Sequence, residues 1–165
     1  PPQDESEVTV SSTKIRKLLS NGSVEKANAY LGYNYLINGI VVKGNEIGRT
    51  IAYPTANILI ENKWKLIPCD GVYIVKVFLK NKQYFGMLNI GNKPTLNNSK
   101  HSLEVHIFDF SDDVYDSDIK VEFLKRIRDE KQFDSLEDLQ GQLKIDENNC
   151  KIYLDVINEK NNVFD

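Results

Sequence analysis

The sequence has 165 residues, of which 41% are hydrophobic and 27% charged, values typical of a globular domain that folds around its own core. Its net charge of −3 provides no bulk attraction to nucleic acid or anionic membranes, although a local basic patch could still bind them. No apolar run reaches membrane-spanning length. We therefore expect neither a nucleic-acid nor a membrane partner.

The two cysteines, Cys69 and Cys150, lie far apart and match no metal-ligand spacing. Such a pair is typical of reduced thiols in a cytoplasmic protein rather than of a disulfide framework. The sequence begins with Pro1 instead of Met, and no signal-peptide pattern follows. We expect a cytoplasmic protein and interpret the chain as a fragment.

A short helix is predicted in the segment SSTKIRKLLSNG, after a polar stretch at residues 1–10 that we expect to be poorly ordered. Ser11 or Ser12 is the expected N-cap, and Gly22 the stop signal. A second short helix is predicted between Ser23 and Gly32. Neither helix can bury a core alone, so we expect both to pack against the rest of the chain.

From Tyr35 onward the pattern changes to short segments rich in β-branched and aromatic residues. Six strands are predicted: LINGIVVK, ANILI, GVYIVKVFLK, QYFGMLNIG, SLEVHIFDF and DIKVEFLKRI. The third is apolar on nearly both faces, which is typical of a strand in a closed or covered sheet. Because no helical pattern separates the strands, they indicate an antiparallel barrel or sandwich.

The pattern becomes helical again after Phe133. Ser135 is the expected N-cap, with Asp138 in the position of a capping-box acceptor. The apolar stripe consists of Leu136, Leu139 and Leu143. We predict a break at residues 146–149, a second helix after it, and a frayed tail at residues 159–165.

The segment VVKGNEIGRTIAYPTANILI, residues 41–60, contains two glycines with basic neighbours. Gly44 and Gly48 could bring backbone N–H groups close to an anion, with Lys43 and Arg49 beside them. The segment matches neither a Walker A motif nor a dinucleotide-binding fingerprint. An ordinary hairpin turn is the alternative, and these residues alone favour it over a phosphate-binding loop.

PTAN, within the same segment, places Thr55 and Asn57 on one face of an extended chain. Their hydroxyl and amide oxygens are hard, neutral ligands that suit Mg²⁺. Pro54 fixes the entry to the segment. The alternative is an edge strand that begins with proline and whose polar side chains satisfy backbone groups.

Glu104 shares one face of its predicted strand with His106, Phe108 and Phe110. A positioned glutamate could accept the proton of an attacking hydroxyl, whereas the simpler interpretation is a solvated strand residue. We interpret His106 as a packing or hydrogen-bonding residue, because no serine or cysteine motif accompanies it.

A cluster of charged and aromatic residues precedes the C-terminal helix. Arg128, Lys131 and Phe133 could hold a planar aromatic ligand, or could form an ordinary charged connector. Asn89 begins a loop rich in Gly, Asn and Pro and is a further candidate for ligand contact.

The order of these motifs resembles the riboflavin kinase family. The matching series is GNEIGRTIAYPTAN, PCDGVYIVKV, YFGMLNIGNKPT, LEVHIFDF, VYD and IRDEKQFDSLEDLQGQLKID, over about residues 35–155. The resemblance is to the kinase module of bacterial bifunctional riboflavin kinase/FMN adenylyltransferases. It implies a six-stranded antiparallel barrel of Greek-key type with a C-terminal helix, which binds ATP with Mg²⁺ and riboflavin in neighbouring clefts.

The resemblance also implies roles for individual residues. Glu104 corresponds to the proposed base, and Thr55 and Asn57 to the residues that serve the metal. The implied ATP-binding residues are Gly44, Gly48, Arg49, Tyr53, Thr55, Asn57 and Tyr115. The implied flavin-binding residues are Asn89, Arg128, Lys131 and Phe133.

Two positions depart from the family pattern: Ala52 and Asp116 each stand where the family usually has glycine. At the other end of the match, VSSTKIRKLL resembles the close of the adenylyltransferase module. We therefore expect residues 1–34 to be a remnant of that module and residues 35–165 to be the kinase domain, without adenylyltransferase activity. A non-catalytic flavin-binding module is the alternative; it would need neither Thr55 nor Glu104.

Overall fold

A computed structural model describes residues 5–44, 46–94 and 99–163 of the protein. The elements are α1 (Glu5–Ser20), α2 (Val24–Leu31), β1 (Leu36–Val42), α3 (Ile47–Thr50), β2 (Ala56–Leu59), β3 (Gly71–Leu79), β4 (Lys82–Pro94), β5 (Ser99–Ile107), β6 (Asp118–Arg128) and α4 (Leu136–Asn162). The strands form a closed antiparallel barrel in the order β1-β2-β5-β4-β3-β6. Because β2 pairs with β5 and not with β3, the connectivity is of Greek-key type. The predicted six-stranded barrel is confirmed.

Two apolar layers cover β3, which explains why its sequence is apolar on both faces. Tyr73 and Val75 point into the barrel with the main core, where the Tyr73 ring meets the Phe123 ring edge-on at 5.2 Å between centroids. Val72 and Ile74 point outward and pack with Cys150 and Leu154 of α4. The outer face of the barrel beneath α4 is therefore a second, smaller core.

α1 and α2 pack against the open end of the barrel, as predicted. Leu19, Val24 and Ala27 are buried in the same core cluster as the strand residues. The Asn28 side-chain amide donates a hydrogen bond of 2.8 Å to the backbone carbonyl of Phe123 in β6. These contacts supply the apolar burial that two short helices lack on their own.

The end of both N-terminal helices is confirmed, but the start of α1 is not. Gly22 and Gly32 follow the helices with φ of +79° and +78°, the left-handed conformation typical of a C-terminal stop. α1 begins at Glu5, so Ser11 and Ser12 lie inside the helix and do not cap it. The stretch at residues 1–10, expected to be poorly ordered, is helical from Glu5 onward, and residues 1–4 lie outside the described residues.

α4 is one continuous helix, so the predicted break at residues 146–149 is wrong. Asp146, Cys150 and Leu154 are all buried and lie one helical turn apart on the face that meets the barrel. That face holds the helix against the sheet throughout, and no glycine or proline interrupts it there. The Ser135 cap is confirmed by its hydroxyl, which accepts a hydrogen bond of 3.1 Å from the Asp138 N–H. Residues 159–162, expected to be frayed, belong to the helix, and residues 164–165 lie outside the described part.

Candidate active site

A continuous row of paired residues crosses five strands on the outer face of the barrel. Asn57 in β2 pairs with Glu104 in β5, which pairs in turn with Asn89 in β4. Asn89 pairs with Val72 in β3, and Val72 pairs with Arg128 in β6. Residues directly opposite each other in antiparallel strands lie on the same side of the sheet. The barrel thus aligns four polar residues that are far apart in the sequence.

The first cleft has a volume of about 240 Å³ and lies between this row and α4. Eight of the residues predicted from the sequence line it: Gly48, Tyr53, Thr55, Asn89, Glu104, Arg128, Lys131 and Phe133. Apolar side chains that the sequence did not reveal as site residues complete the wall: Ile47, Ile51, Val72, Met87, Leu139 and Leu143. A largely apolar cleft with a few convergent polar groups suits an aromatic ligand.

Leu139 and Leu143 are identifiable in the sequence as part of the apolar stripe of α4, but the stripe itself does not indicate what it covers. In the structure both are half-buried, and they line the first cleft. A stripe that covers a core and one that covers a ligand have the same helical period. Periodicity alone therefore could not distinguish the two.

The second cleft, of about 500 Å³, lies on the other side of PTAN. Three of the residues predicted to bind ATP, Arg49, Thr55 and Tyr115, line it together with exposed acidic residues such as Asp113. The Tyr115 hydroxyl donates a hydrogen bond of 3.0 Å to Glu46 Oε1. Thr55 lines both clefts, so the two adjoin at this residue.

The two glycines of the opening segment allow close backbone approach. A Cβ on Gly44 would overlap the Asn57 side-chain amide, and a Cβ on Gly48 would overlap the backbone carbonyl of Tyr53. The Gly48 carbonyl also accepts a hydrogen bond of 2.7 Å from the Tyr53 N–H. The segment is thus folded back on PTAN through the single helical turn α3, instead of forming a simple hairpin.

Ala52 and Asp116 adopt backbone conformations that favour glycine. Their φ angles are +64° and +62°, in the left-handed region. A residue with a Cβ is strained there by roughly 1–2 kcal/mol. The glycine that the family usually has at each position therefore has a conformational reason.

Arg128 makes an ion pair with Asp146 at the edge of the first cleft. Arg128 Nε lies 3.0 Å from both carboxylate oxygens, and Nη2 lies 2.7 Å from Oδ2. The Asp146 side chain is 3% exposed, and Gln142 donates a further hydrogen bond of 3.0 Å to its Oδ1. Asp146 fixes the guanidinium in place. Sequence reasoning missed this residue, although an aspartate on the apolar stripe of a helix could have signalled a buried ion pair.

Tyr53, expected near ATP, lies instead in the first cleft and joins the segment after α3 to α4. Its hydroxyl donates a hydrogen bond of 2.8 Å to Glu147 Oε2, and the Gln140 amide donates one of 3.0 Å to the Ile51 carbonyl. Burial, and then the hydrogen bond to Glu147, raise the pKa of Tyr53 to about 12. A hydrogen bond from Lys151, 2.7 Å long, is the main cause that lowers the pKa of Glu147.

Glu104 and His106 stand side by side on β5, half-buried, and both line the first cleft. His106 Nδ1 lies 2.7 Å from the Pro54 carbonyl oxygen, which confirms the interpretation of His106 as a hydrogen-bonding residue. Lys131, whose ammonium lies 3.3 Å from Gln142 Oε1, and the half-buried Phe133 close the opposite side of the cleft.

The described residues contain no cluster of three or more His, Cys, Asp or Glu side chains that could hold a metal ion. PTAN offers two candidate oxygen ligands: the exposed hydroxyl of Thr55, which lines both clefts, and the half-buried amide of Asn57, which lines neither. These hard, neutral donors suit a divalent ion that binds together with an anionic ligand, because they leave the positive charge of the ion available to that ligand.

Comparison with known proteins agrees with this arrangement. The riboflavin kinase (flavokinase) family model matches residues 31–154. The bifunctional riboflavin kinase/FMN adenylyltransferase of Bacillus subtilis is 43% identical over 145 residues, which cover 86% of this chain and 46% of that protein. The Escherichia coli protein of the same name is 40% identical over 141 residues, 85% of this chain and 44% of that protein. The chain thus spans less than half the length of these relatives.

Two solved structures share the fold. A Streptococcus pneumoniae protein described as a macrolide-efflux protein has a TM-score of 0.83 and 40% identity, over 92% of this chain and 49% of that one. Riboflavin kinase from Trypanosoma brucei has a TM-score of 0.52 at 23% identity, over 73% of this chain and 79% of that one. Within the described residues, no helix is both long and apolar enough to span a bilayer. The matched family model and the curated relatives show that the chain belongs to the riboflavin kinase family.

Proposed function

We propose that this chain is an ATP:riboflavin 5′-phosphotransferase, which converts riboflavin and Mg·ATP to FMN and ADP. The observation that carries the proposal is the meeting of two clefts at Thr55, next to the registered pair Asn57–Glu104. Direct phosphoryl transfer needs the acceptor and the donor in adjoining sites that open toward each other.

The first cleft suits riboflavin. Its apolar walls would bury the isoalloxazine ring beside Phe133, and Arg128 and Asn89 supply polar groups at the edge of the cleft. Arg128 is already oriented by Asp146, so little side-chain entropy would be lost when a ligand binds. The ribityl chain would then extend past Glu104 toward Thr55.

Glu104 is the proposed general base. The riboflavin 5′-oxygen forms a bond to the γ-phosphorus of ATP, the bond from that phosphorus to the β,γ-bridging oxygen breaks, and the hydroxyl proton passes to the Glu104 carboxylate. General base catalysis of this kind contributes about 10²- to 10⁴-fold to the rate. Positioning of the two substrates supplies most of the remainder.

Thr55 and Asn57 are the residues that would hold Mg²⁺, through a hydroxyl and an amide oxygen. The ion would supply positive charge to the phosphate oxygens as the transfer proceeds. Arg49 and Tyr115, which line the second cleft, would contact the nucleotide, while Gly44 and Gly48 let the segment before PTAN fold closely against it.

The relatives are bifunctional, and this chain matches less than half of their length. We propose that residues 35–165 form the kinase domain and that residues 1–34 are the end of an adenylyltransferase module. Adenylyltransferase activity is not expected of the 165 residues. The two helices in the N-terminal part pack on the barrel, so they would connect the modules rigidly.

The experiment is an assay of FMN formation from riboflavin and Mg·ATP with purified protein. Glu104→Gln should lower kcat by about 10²- to 10⁴-fold while the melting temperature and riboflavin affinity stay near those of the unsubstituted protein. Glu61→Gln, the same change at an exposed residue after β2, is the matched control. If riboflavin binds but no FMN forms with the unsubstituted protein, the chain is a non-catalytic flavin-binding module.

A further inference from the structure

We infer that His106 is a positioning residue that holds the Pro54 carbonyl and thereby sets the position of Thr55. The inference rests on the proposed function, in which Thr55 serves the metal and the nucleotide phosphates. Its basis is the 2.7 Å contact between His106 Nδ1 and the Pro54 carbonyl oxygen.

The hydrogen bond lies just where the backbone ladder between β2 and β5 ends. Ala56 pairs with Val105 and Asn57 with Glu104, and no pairing is recorded closer to Thr55 in the described strands. Both Pro54 and Thr55 are exposed. The His106 side chain thus continues the attachment of PTAN to β5 beyond the last paired residue.

The chemistry of the contact determines which ring nitrogen of His106 carries a hydrogen. A carbonyl oxygen can only accept a hydrogen bond, so Nδ1 of His106 must carry a hydrogen and donate it. A change that removes the donor at this atom would leave the Pro54 carbonyl without this interaction. The Thr55 hydroxyl, one residue further on, would then be held less firmly.

The imidazole ring is itself held by its neighbours. The Tyr53 ring meets the imidazole edge-on, with ring centroids 5.2 Å apart. The Phe108 ring also meets it edge-on, with centroids 5.8 Å apart. Tyr53 is in turn bonded to Glu147 on α4. The donor therefore has a fixed position, and the position of Thr55 is defined before any ligand binds.

Asparagine and leucine provide a matched pair of substitutions. Asparagine carries its amide N–H group on Cγ, as histidine carries Nδ1, and can donate to the same carbonyl. Leucine has nearly the same branched shape without a donor. Both remove the ring equally, so the difference between His106→Asn and His106→Leu isolates the hydrogen bond.

We expect His106→Leu to bind Mg²⁺ with a non-hydrolysable ATP analogue about three- to tenfold more weakly than His106→Asn, as measured by calorimetry. KM for Mg·ATP should follow the same ratio, and the dissociation constant of riboflavin, whose cleft His106 lines, should differ less between the two variants than that of the ATP analogue. His101→Leu, at the only other histidine, is a control for the loss of an exposed imidazole. Melting curves show whether both variants are folded.

Equal nucleotide affinity in the two variants would overturn the inference, as would a difference confined to riboflavin. The same comparison in a Thr55→Ala background is the second test. If His106 acts through Thr55, the difference between the two variants should largely disappear there. Persistence of the full difference would mean that His106 acts by another route. Absence of FMN formation by the unsubstituted protein would instead refute the proposed function.

Discussion

Asp146→Ala is the substitution for which the structure makes the sharpest prediction. Asp146 is the buried carboxylate of α4, and it binds Arg128 through three contacts of 2.7–3.0 Å. Gln142 also donates to it. Removal of the carboxylate would leave the guanidinium at the wall of the first cleft without its main partner.

The magnitude follows from burial. Loss of one partner of a buried ion pair costs about 3–5 kcal/mol. The Arg128 side chain is 15% exposed and keeps a hydrogen bond of 2.9 Å from Nη1 to the Asp129 carbonyl, which reduces the penalty. We therefore expect a loss of about 2–3 kcal/mol in the free energy of unfolding, equivalent to about 5–10 °C in Tm.

Thermal unfolding and riboflavin titration together test the prediction. Asp146→Asn keeps one oxygen acceptor and should lose about half as much stability. Asp155→Ala, at an exposed position of the same helix, should leave Tm within about 1 °C and riboflavin binding unchanged. We expect Asp146→Ala to weaken riboflavin binding about tenfold, because Arg128 is no longer oriented. Wild-type Tm and affinity in this variant would refute the reasoning.

Three further predictions concern the surroundings of the site. Ala52→Gly should stabilise the protein by about 0.5–1 kcal/mol in urea unfolding, since relief of positive-φ strain exceeds the added freedom of the unfolded chain. Tyr53→Phe should be less stable than the unsubstituted protein below pH 10, because the Tyr53 phenol must be protonated to donate its hydrogen bond to Glu147. The pKa of Tyr53 is raised to about 12 in the folded state, so the difference in stability should vanish as the pH rises to that value. At pH 8 a thiol reagent should label half-exposed Cys69 in the native state and not Cys150, whose pKa burial raises to about 12; equal labelling of both would contradict the structure.

The barrel could be predicted because its signal is local. Each strand is a short segment rich in β-branched and aromatic residues, and β3 shows apolar residues on both faces because Val75 meets the barrel core and Ile74 meets α4. The register could not be predicted in the same way. The alignment of Asn57, Glu104 and Asn89 depends on pairing between strands distant in the sequence.

The largest error, the break in α4, has a physical cause that the sequence conceals. Asp146 resembles a solvated turn residue in isolation, since a buried charge needs a partner that lies elsewhere in the chain. That partner is Arg128, eighteen positions earlier and on a different element. The residue that made the helix seem interrupted is thus the one that attaches it to the active-site face of the barrel.

The two departures from the family pattern affect the loops more than the chemistry. Sequence resemblance identified Ala52 and Asp116 as unusual, but only the backbone shows that each holds a positive φ. Ala52 lies between two residues of the first cleft, and Asp116 follows Tyr115 of the second, so each cleft adjoins a loop with a strained residue. Glu104, by contrast, lies within a regularly paired strand. Strain of this kind favours movement of the loops over distortion of Glu104, so under the proposed function its relief should alter the affinity for riboflavin and ATP more than the rate of phosphoryl transfer between them.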